Sequence, residues 1–337
     1  MRVVEIGNAF GLENLNLGER EPADPGPGEV TVRIHAASLN YRDLMMVRGL
    51  YNPRQKLPLI PCSDGAGEVV AVGDGVSRFR KGDRVAGIFA QKWLAGPGDS
   101  KVARFTLGGP LDGTLAEQMN FHEDGLVSIP DHLTFDQAAT LPCAAVTAWH
   151  ALVAHGQIKA GDSVLVLGTG GVSLFALQLA QASGARVVVT SSQDDKLERA
   201  RRLGAWQTIN YRTTPDWPKQ VYELTNGEGV DHVVEVGGAG TLSKSVDAAG
   251  IGGRVSVIGV LSGTAAEIDV RRLLMRGIQL RGVFVGSRSM FEDMNRAISQ
   301  HRIEPVVDNV FPLEDTREAF EHMAQGRHFG KIVIRVS

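Results

Sequence analysis

The chain has 337 residues, 43% of them hydrophobic, with 35 Lys plus Arg against 38 Asp plus Glu and a net charge of −3. That length suffices for two domains with real cores, and the near balance of charge leaves no electrostatic footprint for nucleic acid. No apolar run reaches the roughly 18 residues that span a bilayer, and Met1-Arg2-Val3-Val4-Glu5 lacks the basic-then-apolar pattern of a secretory signal, so no membrane contact and a cytoplasmic location are expected.

In chain order, residues 29–36 alternate apolar and polar side chains, as a half-buried antiparallel strand does. Residues 65–73 and 82–89 read as further short strands between glycine turns, which predicts a small, partly open barrel. Residues 92–111, with Trp93, Phe105 and the Gly108-Gly109-Pro110 turn, make a longer loop than a barrel connection requires. Such a loop overhangs a cleft or packs on its own domain. Cys62 and Cys143, the only two cysteines, sit among small or apolar neighbours and read as inert buried thiols, with a disulfide between them left open.

The run from Ser163 to Phe175 is the most informative. The apolar strand Ser163-Val164-Leu165-Val166-Leu167 feeds Gly168-Thr169-Gly170-Gly171-Val172, and that turn opens into an amphipathic helix. This arrangement lays a dinucleotide pyrophosphate against backbone N–H groups at a helix N-terminus. The third glycine of the G-x-G-x-x-G spacing is Ser173, small enough for close packing and able to bond back into the turn. A strand at 186–191, a helix from about 194 to 204, short strands near 208–209, 232–236, 254–258 and 278–283, and a helix at 240–249 follow. This alternation predicts a doubly wound parallel sheet that binds its ligand at the strand C-termini. The second strand ends in Ser191 and Ser192, where a domain selective for NAD places Asp or Glu. With Lys196 and Arg199 nearby, Tyr211 ending the next strand, and Asp194 and Asp195 facing solvent, the reading is NADPH. Residues 330–335 alternate again and return to the first domain. The expected division is therefore 1–144 with 288–337 for the barrel and 145–287 for the nucleotide-binding domain.

Asn40-Tyr41-Arg42-Asp43, Pro61-Cys62-Ser63-Asp64-Gly65-Ala66-Gly67, Gly82-Asp83-Arg84-Val85, Ala139-Thr140-Leu141-Pro142-Cys143-Ala144, the Gly168 turn and Phe329-Gly330-Lys331 occur in that order. In this the chain resembles the medium-chain dehydrogenase/reductase superfamily, on its zinc-independent, quinone-oxidoreductase-like side. The resemblance implies an α/β fold with a GroES-like catalytic domain and a Rossmann domain, and a homodimer through the edge strand at 278–284. It adds Gly237, Gly259, Val260, Phe284, Val285, Gly330 and Lys331 to the candidate cofactor-binding residues.

Zinc-dependent members present a Cys/His/Cys set at positions that here are Asn40, Ser63 and Cys143, and Asp64 matches a carboxylate they keep beside the metal. One thiol and one acid fall short of the about three protein ligands of a catalytic zinc. Residues 91–112, where a structural zinc lobe belongs, contain no cysteine. No metal is expected. Without a Lewis acid, hydride transfer to a quinone or an α,β-unsaturated carbonyl is the easier chemistry, given donors at the oxygen and a proton source. Tyr51 is the first candidate donor and Tyr41 the second, with Asn40 and Asp43 orienting substrate, water or ribose. Tyr41 as a core aromatic and Asp43 as a helix cap or ion-pair partner remain alternatives. A zinc-free NAD(P)-dependent alcohol dehydrogenase, an enoyl-thioester reductase, and a non-catalytic NADPH-binding sensor or scaffold are the competing functions.

Overall fold

A computed structural model describes residues 1–337. The chain forms two compact units, residues 1–146 with 286–337 and residues 147–285, close to the divisions at 144/145 and 287/288 drawn from the sequence. The first stretch carries β1 (Arg2–Ile6), β2 (Leu15–Glu19), β3 (Glu29–Ser38), β4 (Asp64–Val72), β5 (Arg84–Gly87), β6 (Gln118–His122) and β7 (Leu126–Ser128). The second unit carries β8 (Ser163–Leu167), β9 (Arg186–Ser191), β10 (Gln207–Asn210), β11 (Val230–Glu235), β12 (Ala249–Val257) and β13 (Gln279–Gly282). The chain closes with β14 (Val307–Pro312) and β15 (Lys331–Arg335).

In the first unit β3 is the spine. It pairs antiparallel with β4, β6 and β15, within a sheet ordered β14-β15-β3-β4-β5-β7. Val30, Thr31, Val32 and Ile34 are buried and Arg33 is exposed, so the alternation is broken at Thr31, and Ala36 and Ala37 are both buried where the register shifts against β4. Each buried branched side chain contributes about 1.5–3 kcal/mol. β15 pairs with β3 in this unit, but it buries four of its five residues, so it is not the alternating strand read at 330–335. The parallel pairing of β14 with β15, across the helix Thr316–Ala324 that buries Ala319, Phe320 and Met323, was not visible in the sequence. Nor was the separate β1–β2 hairpin.

The second unit is a six-stranded parallel sheet ordered β10-β9-β8-β11-β12-β13, the doubly wound order. All five residues of β8 are buried, as a central parallel strand requires. The helix Gly171–Ala182 buries Ser173 to Leu177 without interruption, so its apolar face is wider than the single stripe read from the sequence. The strand order reverses between β8 and β11, and open parallel sheets take their ligands at the carboxyl ends beside such a reversal. At one edge, β13 pairs with β12 alone and its four residues are exposed.

Candidate active site

Strand register builds the candidate site of the first unit. Ser38 of β3 faces Val333 of β15 on one side and Asp64 of β4 on the other. Carried two residues further, the β15 register places Lys331 opposite Asn40, and the β4 register sets Ser63 beside Leu39. The helix Tyr41–Val47 starts here, with a capping box between Asn40 and Asp43 in which the Asn40 N–H donates to Asp43 Oδ2 at 2.8 Å.

These side chains form one directed hydrogen-bond chain. Lys331 Nζ donates to Leu39 O and to Asn40 Oδ1, both at 2.6 Å. Asn40 Nδ2 donates to Ser63 Oγ at 3.4 Å, and Ser63 Oγ donates to Asp64 Oδ1 at 2.8 Å. The Cys143 N–H donates to Asp64 Oδ2 at 3.1 Å, from the helical turn Leu141–Ala145. Ser63, Asp64 and Asp43 are fully buried and Lys331 is 3% exposed, whereas Asn40 is half-buried. Burial pushes the Asp64 carboxyl up from its ordinary range, and the Lys331 ammonium with the Asn40 and Ser63 bonds opposes that rise. Loss of hydration and the Asp64 charge push the Cys143 thiol up, so it is not a ready thiolate. Both cysteines are free, and the fully buried Cys62 thiol contacts the carbonyl of Ser38.

Arg42 organises the neighbouring surface. Its guanidinium lies between the rings of Tyr51 and Phe89, at 4.9 and 4.8 Å from their centroids. It donates to Leu107 O at 2.8 Å and Gly109 O at 3.1 Å, which ties down the 92–111 loop on its own unit. It also stands 3.6 Å from Asp43 Oδ1. Asp43 is thus both cap and ion-pair partner, buried beyond reach of a substrate, and burial pushes its carboxyl up to about 6. Tyr51 and Tyr41 are 42% and 44% exposed, so Tyr41 is no core aromatic.

The residues at the positions of the zinc ligands do not suit a metal. The Asn40 amide oxygen faces an ammonium, Ser63 gives its proton to Asp64, and the Asp64 carboxylate already accepts two hydrogen bonds. No group of three or more His, Cys, Asp or Glu side chains stands close enough to hold a metal ion.

The candidate nucleotide residues of the second unit gather at the carboxyl ends of its strands. Gly168 takes φ +74°, the conformation the tight turn needs, and a Cβ at Gly170 would meet nothing within 4 Å, which leaves open space for a phosphate. Thr169 and Gly170 lead into the helix that begins with Gly171 and Val172, whose first N–H groups have no intrahelical acceptor. Ser173 closes the turn from inside by donating to Leu167 O. Ser191 ends β9, and its hydroxyl accepts the Gln193 N–H at 3.3 Å. Ser192 is half-buried, Tyr211 is exposed just beyond β10, and Lys196, at 6% exposed, is no solvated helix lysine. Asp194 and Asp195 are exposed, with Asp194 accepting from Asn210. Gly237 follows β11, Gly259 and Val260 follow β12, and Phe284 and Val285 follow β13. His150 Nδ1 stands 2.6 Å from the Val285 carbonyl. Gly330 and Lys331 lie in the other unit, where the Lys331 ammonium is engaged as described.

Glu235 escaped the sequence reading. Its fully buried carboxylate accepts the Gly237 and Gly238 N–H groups at 2.6 and 2.9 Å and the hydroxyls of Thr241 and Ser245, shaping the loop after β11. An acid at a strand end followed by Gly-Gly was the available signal.

Residues 26–131 match the alcohol dehydrogenase GroES-like domain, and residues 171–300 match the zinc-binding dehydrogenase family. The chain is 45% identical to the zinc-type alcohol dehydrogenase-like protein C1773.06c of Schizosaccharomyces pombe, covering 100% of this chain and 99% of that one. It is 32% identical to a quinone oxidoreductase of Pseudomonas aeruginosa, with 96% of each covered. A solved structure described as an NAD-dependent alcohol dehydrogenase superposes with a TM-score of 0.91 at 35% identity, over the whole of both chains. With a GroES-like unit, a Rossmann unit that fits an NAD(P) cofactor, and relatives of this similarity over its full length, the chain is an oxidoreductase of the medium-chain dehydrogenase/reductase superfamily.

Proposed function

We propose that the protein is a zinc-independent, NADPH-dependent reductase of quinones or α,β-unsaturated carbonyls. The observation that carries this reading is the chain from Lys331 through Asn40 and Ser63 to Asp64, which fills with hydrogen bonds the positions where zinc-dependent relatives keep ligands. NADPH, when bound, supplies the hydride. The N–H groups of residues 168–172 hold the pyrophosphate, and Ser191, Ser192 and Lys196 receive the ribose 2′-phosphate. Asn40 and Tyr51 donate to the acceptor oxygen. A conjugated acceptor spreads its developing charge, so uncharged donors serve where a simple ketone leans on a Lewis acid.

NADP is favoured over NAD because β9 ends in hydroxyls rather than a carboxylate. NAD-linked alcohol oxidation is the second reading, favoured by the likeness to the 35% identical NAD-dependent alcohol dehydrogenase. The test is titration of metal-free protein with NADPH and NADH, then NADPH oxidation with a panel of quinones, enones and enals in the presence of chelator. Tighter NADPH binding and chelator-resistant turnover are expected. Tighter NADH binding with zinc-dependent alcohol oxidation moves the protein to the second reading, and NADPH binding with no turnover makes it a sensor or scaffold.

A homodimer belongs to the same proposal. The outer edge of β13 is unpaired, and the helix Val270–Arg276 beside it buries none of its residues, with Leu274 78% and Met275 79% exposed. An unpaired strand edge together with exposed Leu274, Met275 and Leu280 calls for a partner, and a second copy supplies an identical surface. Light scattering should give twice the chain mass, falling to one chain in Leu280→Lys with Leu274→Lys. A monomer at all concentrations removes the dimer. A cytoplasmic setting is also inferred, as two free thiols suit a reducing compartment. No helix is long and apolar enough to cross a membrane.

A further inference from the structure

We propose that Lys331 is a positioning residue that fixes the Asn40 side chain as a hydrogen-bond donor, so that this site selects acceptors presenting a carbonyl or quinone oxygen. The inference deepens the reductase reading and rests on it for the identity of the acceptor. It does not need that reading for the link between the two residues.

The directions of the hydrogen bonds decide the orientation of the amide. An amide has one acceptor end and one donor end, and an ammonium can only donate. With Lys331 Nζ 2.6 Å from it, the acceptor end of Asn40 must be Oδ1, which leaves Nδ2 as the end this half-buried side chain can offer. The far end of the chain enforces the same sense. The Asp64 carboxylate takes the Ser63 proton, so Ser63 Oγ meets Asn40 Nδ2 with a lone pair, and at 3.4 Å that contact is long. A cation at one end and an anion at the other thus set every proton between them. Of the two Asn40 Nδ2 protons, one meets Ser63 only at 3.4 Å, and the Asp64 carboxyl also draws on this side chain, so no partner holds the amide tightly at its donor end.

A buried lysine without partners is costly, and Lys331 sits in a balanced group of two carboxylates, Asp43 and Asp64, and two cations, Arg42 and Lys331. Its three ammonium protons can meet at most three acceptors, and two are already Leu39 O and Asn40 Oδ1. The ammonium therefore acts through Asn40. Polarised by that ammonium, the amide is a stronger donor toward charge developing on an acceptor oxygen.

The test combines binding, turnover and a spectroscopic probe. Lys331→Met should leave the NADPH dissociation constant within about twofold and lower kcat on quinone or enone acceptors by about 10- to 100-fold, with a smaller change in KM. In nitrogen-labelled wild-type protein, the Asn40 side-chain amide resonances, identified by their loss in Asn40→Asp, should move on Lys331→Met. If Lys331→Met does not fold, Asn40→Asp keeps a carboxylate for Lys331 and removes the donor, and it should lose turnover while retaining NADPH affinity. A tenfold loss of NADPH affinity in Lys331→Met, unmoved Asn40 resonances, or wild-type turnover in Asn40→Asp overturns the proposal. If the wild-type protein reduces no acceptor, the reductase reading fails, and the resonance shift still decides the Lys331–Asn40 link.

Discussion

Ser173 donates its hydroxyl to the Leu167 carbonyl at 2.7 Å, across the glycine turn that joins β8 to its helix. A serine in place of the usual third glycine therefore braces the turn. Ser173→Ala removes one buried hydrogen bond and is expected to cost about 1 kcal/mol in urea unfolding, with NADPH affinity within a few-fold. Ser173→Leu overpacks a buried position and should cost about 1–3 kcal/mol and weaken NADPH binding as the turn shifts. An alanine variant as stable as wild type would remove the bracing role.

The nucleotide-binding unit was the legible part of the chain, because its signals are local. A β-branched run, a glycine turn and an amphipathic helix lie within about twenty residues. The barrel unit was less legible. The helix Tyr41–Val47 is too short for a helical period to stand out, and β14 pairs parallel to β15 only through the intervening helix. Residues 141–154 form two π-helical turns around one short α-helical turn, which no local pattern in the sequence announces. The site divided along the same line. Asn40 was found from a motif, but its partner Lys331 lies 291 residues away, and only the register of β3 against β15 joins them.

Arg42 neutralises Asp43, stacks between Tyr51 and Phe89, and holds two carbonyls of the 92–111 loop. Arg42→Met should destabilise the protein by about 3–5 kcal/mol, the cost of leaving a buried charge without its partner. Urea midpoints measure it. Loss of the stack should also free the Tyr51 ring, so acceptor KM should rise in any variant stable enough to assay. A change below about 1 kcal/mol would mean that the guanidinium does not support Asp43.

Asp43 makes stability depend on pH in a defined direction. Its carboxyl is raised from 3.8 to about 6 by burial, against the pull of Arg42. Between those values the folded chain holds a proton that the unfolded chain has released, so stability falls as pH rises through that window. The loss amounts to about 3 kcal/mol, and Asp64, raised in the same direction, adds to it. Denaturant midpoints from pH 4 to 7 should show a decline in wild type that is shallower in Asp43→Asn. Parallel curves for the two proteins would exclude Asp43 as the source.

Ser192 lies just past β9, where a carboxylate would grip ribose hydroxyls and repel a 2′-phosphate. Ser192→Glu should weaken NADPH binding at least tenfold relative to NADH, from like-charge repulsion. The ratio of the two dissociation constants is the measurement. An unchanged ratio would place the 2′-phosphate elsewhere.

The position of β15 between β14 and β3 has a consequence for the order of synthesis. Residues 147–285 are continuous and can close while the chain is still growing, but the Ala36–Ser38 end of β3 must wait some three hundred residues for β15. Until β15 is made, residues 36–38 of that strand present an open edge, a template for mispairing. A transcript stopped just short of Lys331 would leave the nucleotide-binding unit able to form and the sheet of the first unit without the strand that joins β14 to β3.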